Sequence, residues 1–127
     1  MIRAVVDASA VLALINRESG WQRAEVEMSA GAISAVNLSE VVTKLLVIGG
    51  TSEQVEEAWS ALNLQIEPLD TARAVAAGLL ALRTRRLGLS FADRACLALA
   101  IELNIPAVTA DRAWSKLDLP VEIRVIR

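Results

Sequence analysis

Short β-branched runs alternate with helix-like segments along this whole chain, and that alternation limits the possible folds more than any other feature. Arg3–Val6, Ala32–Ser34, "LQIEPL", "PAVTA" and "VEIRVI" read as five brief strands. Helical stretches lie between them. One starts at about Ala8, a second lies near Gly20–Met28, and a third runs from about Leu38 to Ile48, where Gly49-Gly50 ends it. "TSEQVEEAWSAL" begins a fourth, with Thr51 and Gln54 at capping-box spacing. Asp70 is placed to cap a long helix, "TARAVAAGLLALRTRR", that ends near Gly88, and Ser90 to start "FADRACLALAIEL". Strands that alternate with helices demand right-handed crossovers. The expected fold is therefore α/β: a central, mostly parallel sheet of about five strands with helices on both faces. The 127 residues fit one domain, residues 1–127, large enough to bury a core unaided.

In such sheets ligands bind outside the carboxyl ends of the strands, where the strand order reverses. An aspartate, Asp7, closes the first apolar strand, and Asp111 stands just beyond the fourth. If those strands are neighbours, both carboxylates face one crevice. Glu40 follows the second strand closely and belongs to the same edge. Asp93 sits in "SFAD", three residues after Ser90. Each acid also has an ordinary explanation. Ser90 with Asp93, and Asn37 with Glu40, have capping-box spacing, and Asp7 and Asp111 could be N-caps. Together they are costly: two full charges about 4 Å apart repel by roughly 4 kcal/mol at an effective dielectric of 20. One acid must hold a proton, or a cation must neutralise the group.

The rest of the composition narrows the chemistry. The chain has no histidine, which removes Ser–His and Cys–His nucleophiles and histidine general bases. Its one cysteine, Cys96, allows no internal disulfide and no Cys-rich zinc site, and reads as a buried core thiol on an apolar helix face. Any metal must be held by oxygen, which favours Mg²⁺ or Mn²⁺. Such an ion activates water and clamps a phosphodiester for in-line attack. Formal net charge is −2, so a nucleic-acid partner has to meet a local basic patch. A hydrophobic content of 54% excludes a disordered chain. No apolar run reaches the roughly 18 residues of a membrane span, and Asp7 interrupts the start where a signal peptide would be apolar. The expected location is cytoplasmic.

Four stretches now carry a resemblance: "VVDASAVLAL", "SAVNLSEVVTKL", "LGLSFADRACLALA" and "VTADRAWSKLDL". In order, spacing and flanking residues they resemble a PIN domain, and within it a VapC toxin ribonuclease of a type II toxin–antitoxin pair. The resemblance spans essentially the whole chain. It implies an acidic quartet of Asp7, Glu40, Asp93 and Asp111, with Asp7 and Asp93 as principal metal ligands and Glu40 and Asp111 completing the site and orienting the attacking water. It implies that Ser9 supports the first aspartate and that Thr109 lies just behind the ligands. The implied activity is a Mg²⁺-dependent endoribonuclease, with Mn²⁺ able to substitute, that leaves a 5′-phosphate and a 3′-hydroxyl. A VapB-type antitoxin and a homodimer are the implied partners. One departure is Phe91, larger than the residue some relatives carry before Ala92-Asp93.

Other residues stay open between two readings. Arg83, Arg85 and Arg86 either complement the C-terminal dipole of the long helix or contact RNA phosphates. Arg112 either reaches a phosphate or pairs with a site carboxylate, and Arg94 reads as an internal ion pair. With no Tyr, one Phe and three scattered Trp, no aromatic platform for stacked bases is expected. Two rival functions remain. An aspartyl-phosphate phosphatase also begins with an aspartate after its first strand, but it needs a second one two residues on, where this chain has Ser9. A non-catalytic α/β binding or regulatory module would use all four acids as caps.

Overall fold

The computed structural model describes residues 1–127 and builds them around one five-stranded, all-parallel sheet. The strands are β1 (Ala4–Val6), β2 (Gly31–Ser34), β3 (Gln65–Glu67), β4 (Ala107–Thr109) and β5 (Ile123–Val125), in the spatial order β3-β2-β1-β4-β5. The central strands are apolar on both faces because helices cover both. Alternate side chains of β1 therefore serve different cores. Ala4 and Val6 join one that includes Val11, Ile33, Val41 and Leu45. Val5 joins the other, with Leu97, Leu99, Ala107 and Trp114.

The first face is covered by α1 (Ala8–Ile15), α2 (Trp21–Met28), α3 (Ala35–Val47) and α4 (Ser52–Ser60). The second is covered by α5 (Thr71–Leu79) and α7 (Phe91–Leu103), with α6 (Ala81–Thr84) and a 3₁₀ turn at Arg85–Leu87 between them. Local chemistry starts several of the helices. The Thr51–Gln54 capping box forms at α4, and the Asp70 carboxylate accepts from the Arg73 N–H at α5. Gly20, with φ of +89°, lets the α1–α2 turn pass under the C-terminal end of the chain: a Cβ there would lie 2.5 Å from the Ile126 carbonyl oxygen. No helix is long and apolar enough to cross a membrane.

Two boundaries differ from the sequence expectation. Helix α3 begins at Ala35 rather than near Leu38, because Ser34, the last residue of β2, is itself the N-cap and accepts from the Val36 N–H at 3.2 Å. The long helix expected from Thr71 to Arg86 breaks at Leu80. There the Leu80 N–H takes a tighter bond to the Ala77 carbonyl, and the buried Thr84 hydroxyl donates back to the Leu80 carbonyl at 2.8 Å. The break turns Leu80 and Thr84 into the interior.

Candidate active site

Strands β1 and β4 are neighbours, with Val6 opposite Val108. From β1 the chain winds outward to β2 and β3 on one side and to β4 and β5 on the other. The strand order reverses beside β1, and the carboxyl ends of β1 and β4 form the crevice that this topology reserves for ligands.

Asp7 lies in that crevice and is 4% exposed. It occupies the N-cap position of α1 but caps nothing, since its side chain bonds no helix N–H. Its partners come from elsewhere in the chain. The Ser9 hydroxyl donates to Asp7 Oδ2 at 2.6 Å, and the Thr109 hydroxyl donates to the same oxygen at 3.0 Å. An ionised carboxylate only accepts, which sets this direction. The Ala110 N–H points at Ser9 Oγ at 2.9 Å and the Asp111 N–H at Thr109 Oγ1 at 3.0 Å, so each hydroxyl accepts there and spends its single hydrogen on Asp7. Burial pushes the Asp7 carboxyl up from 3.8 to about 6, against the two hydroxyl bonds that favour its charge. The charges of Asp93 and Glu40 raise it further, so both lie within electrostatic reach. The buried thiol of Cys96 is pushed up by burial first and then by the charges of Asp7, Asp93 and Glu40.

The acids share an edge without converging, and no three carboxylates form a ready ligand shell. Each of the others has a second engagement. Asp93 and Ser90 complete a capping box, with Asp93 Oδ2 accepting from the Ser90 N–H at 2.9 Å. Asp111 Oδ1 caps the 3₁₀ turn Arg112–Lys116 through the Ala113 N–H at 2.9 Å. Glu40, half-buried on α3, stands 4.0 Å from Lys44 one turn on. Asp93 and Asp111 each keep one carboxylate oxygen free of these bonds.

Asn37 is the residue that the sequence reading misplaced. Expected as a cap three residues before Glu40, it sits instead in the first turn of α3, fully buried. Its amide nitrogen donates to the Ala92 carbonyl at 3.1 Å and lies 3.5 Å from Asp7 Oδ1, while its Oδ1 has no partner. The signal available was the polar Ser34 ending an apolar strand: a helix capped there carries Asn37 to the same sheet edge as Asp7.

The arginines also differ from expectation. Arg94 forms no ion pair; its guanidinium donates to the Ala77 and Leu89 carbonyls. Arg112 pairs with no side-chain carboxylate and donates to the backbone oxygen of Arg127 at 2.9 Å. Arg83 holds the Asp118 carbonyl at 2.9 Å, whereas Arg85 and Arg86 extend from the 3₁₀ turn, exposed and without hydrogen bonds.

The site's donors suit a hard divalent cation. All are oxygens, Asp7 is charged only at a cost that a cation would relieve, and an unpartnered amide oxygen lies two bonds from the nitrogen that faces Asp7. The PIN domain family model matches residues 4–119. No curated protein matches the chain in sequence. Among solved structures, VapC20 of Mycobacterium tuberculosis, a toxin that cleaves the sarcin-ricin loop, superposes with a TM-score of 0.74 at 22% identity, covering 89% of this chain and 93% of that one. VapBC2 from Rickettsia felis, bound to a DNA fragment from its promoter, gives 0.73 at 18% identity and 97% of each chain. DNA-bound VapBC from Salmonella typhimurium gives 0.69 at 18% identity over the full length of both. At these identities the likeness is one of fold, and the family model covers nearly the whole chain: this chain belongs to the PIN domain family.

Proposed function

We propose that this PIN domain is a divalent-metal-dependent endoribonuclease and the toxin of a type II toxin–antitoxin pair, acting in the cytoplasm. Asp7 and Asp93 would hold the ion directly or through water, with Glu40 and Asp111 completing the set. When bound, Mg²⁺, or Mn²⁺ in its place, would supply a nucleophilic water at neutral pH and neutralise charge on the scissile phosphate. The chain's own residues contribute the rest. Ser9 and Thr109 favour the ionised form of Asp7, against its burial, and fix its orientation. Glu40 and Asp111 would orient the attacking water through their carboxylate oxygens. Arg85 and Arg86 offer free guanidinium groups to RNA phosphates, and Arg112 lies beside Asp111 with one nitrogen engaged. Hydrolysis would leave a 5′-phosphate and a 3′-hydroxyl. The solved structures of this fold include VapBC complexes, which supports a VapB-type antitoxin as partner, with a homodimer as the toxin's own assembly.

The observation that carries this reading is the buried Asp7 carboxylate, held by two hydroxyls at a sheet switch point with two further acids close enough to raise it. The rival reading, a binding module whose acids are caps, draws on the real caps at Asp93 and Asp111. Asp7 opposes it, because it caps nothing. The test is cleavage of total cellular RNA by antitoxin-free protein in Mg²⁺, Mn²⁺ or EDTA, beside Asp93→Asn, with the new ends sequenced. Metal-dependent cuts with 5′-phosphates, absent from the variant, are expected. Absence of both cuts and metal binding would return the acids to capping.

A further inference from the structure

The amide of Asn37 can be oriented only one way. It faces two acceptors, Asp7 Oδ1 at 3.5 Å and the Ala92 carbonyl at 3.1 Å, so its nitrogen must point toward them; a flipped amide would set oxygen against two oxygens. The carbonyl oxygen is thereby committed to the other side, buried and without a partner. Leaving a buried acceptor unmade is unfavourable, and native proteins keep few. Three separate elements meet at this one side chain: α3, which carries it; the end of β1, which carries Asp7; and the first turn of α7, where Ala92 directly precedes Asp93.

We infer that Asn37 is a positioning residue of the cleavage site: its nitrogen ties Asp7 to the backbone turn that presents Asp93, and its free oxygen anchors a water beside them. This rests on the metal-dependent reading above. Nothing else in the structure links Asp7 and Asp93 side by side, since Ser9 and Thr109 hold the opposite oxygen of Asp7 and Asp93 itself is turned toward Ser90. Without Asn37, Asp7 and the α7 turn would still be present but would no longer be held in one register. Outer partners of this kind typically contribute 10–100-fold to metal affinity or activity.

The test compares wild type with Asn37→Leu, close in volume and without polar atoms, and with Asn37→Ala. Circular dichroism and thermal melting establish folding, and Asn37→Ser replaces any variant that does not fold. Mn²⁺ affinity is measured by calorimetry, and kcat and KM on one single-stranded RNA that the wild type cuts. The expected result is a loss of about 10–100-fold in both Mn²⁺ affinity and kcat, with KM for RNA changed by less than about twofold. A folded Asn37→Leu protein with wild-type Mn²⁺ affinity and kcat overturns the inference, as does a loss confined to KM or a wild type that binds no Mn²⁺. If Mn²⁺ binds and weakens in the variants but the wild type cuts no RNA, the cleavage reading fails and the positioning role of Asn37 stands.

Discussion

Ser9 and Thr109, a hundred positions apart in the chain, bring their hydroxyl oxygens to 3.2 Å and give both hydrogens to one carboxylate oxygen, Oδ2 of Asp7. Removing either donor should leave the fold intact and the carboxylate less well held. Thr109→Val keeps the shape and removes the hydrogen bond. We expect roughly a 10–100-fold fall in Mn²⁺ affinity and cleavage, and less than an additive further loss when Ser9→Ala is combined with it, because the two serve one atom. Calorimetry and single-turnover cleavage would decide it.

The raised Asp7 carboxyl makes stability depend on pH in a definite direction. The folded chain holds this proton with a pKa of about 6, the unfolded chain near 3.8. Below about pH 3 both states are protonated and nothing is lost. Between there and pH 6 the unfolded chain ionises first, so metal-free stability falls. Above pH 6 the full deficit of about 3 kcal/mol is present. Urea unfolding in EDTA at pH 4.5 and 7.5 should differ by about 2 kcal/mol from this group, most of the deficit, and Asp7→Asn should abolish that share. An unchanged slope in the variant would refute the assignment.

Capping and metal holding can be separated at Asp93 and Asp111: at Asp111, an N-cap, Asn caps about as well as Asp, and at Asp93, the third residue of a capping box, an Asn oxygen can still accept from the Ser90 N–H. Asp93→Asn and Asp111→Asn should each melt within about 0.5 kcal/mol of wild type without metal. Both should show a smaller rise in Tm on adding Mg²⁺, since a ligand bound only to the folded state stabilises it. A full metal response in both variants would leave these acids as caps alone.

The exposed pair Arg85 and Arg86 bears on RNA binding. If both neutralise phosphates, Arg85→Gln with Arg86→Gln should flatten the slope of log affinity against log salt by about 1.4, at about 0.7 per phosphate on a single strand. Fluorescence anisotropy with labelled RNA and cleavage-deficient Asp93→Asn protein measures it. An unaltered slope would make these arginines ordinary surface residues.

Much of the architecture was legible because its signals are local. Apolar runs such as "AVV" and "AVT" fit strands covered on both faces, and Thr51, Asp70 and Ser90 start their helices where a side-chain oxygen meets a backbone N–H. What escaped depends on packing between distant parts. The helix after Thr71 breaks because Thr84 is drawn inside, which no propensity announces. Asn37 was misread because β2 runs into α3 with no loop, so the cap falls on the strand's own last residue. Arg94 was paired with carboxylates because it adjoins Asp93. On a helix, however, consecutive side chains diverge by about 100°, and Arg94 points to α5 instead. The shared spacing of a capping box and a ligand set left Asp93 with two readings that distance alone could not separate.

The strand order has a consequence for when this crevice is assembled. Asp7 is made early and buried at the centre of the sheet, yet one of its two hydroxyl partners arrives 102 residues later on β4. A nascent or clipped chain that lacks β4 has an exposed strand edge and an aspartate held from one side only. On the proposed reading, this crevice is complete only once β4 has paired with β1 and brought Thr109 to Asp7.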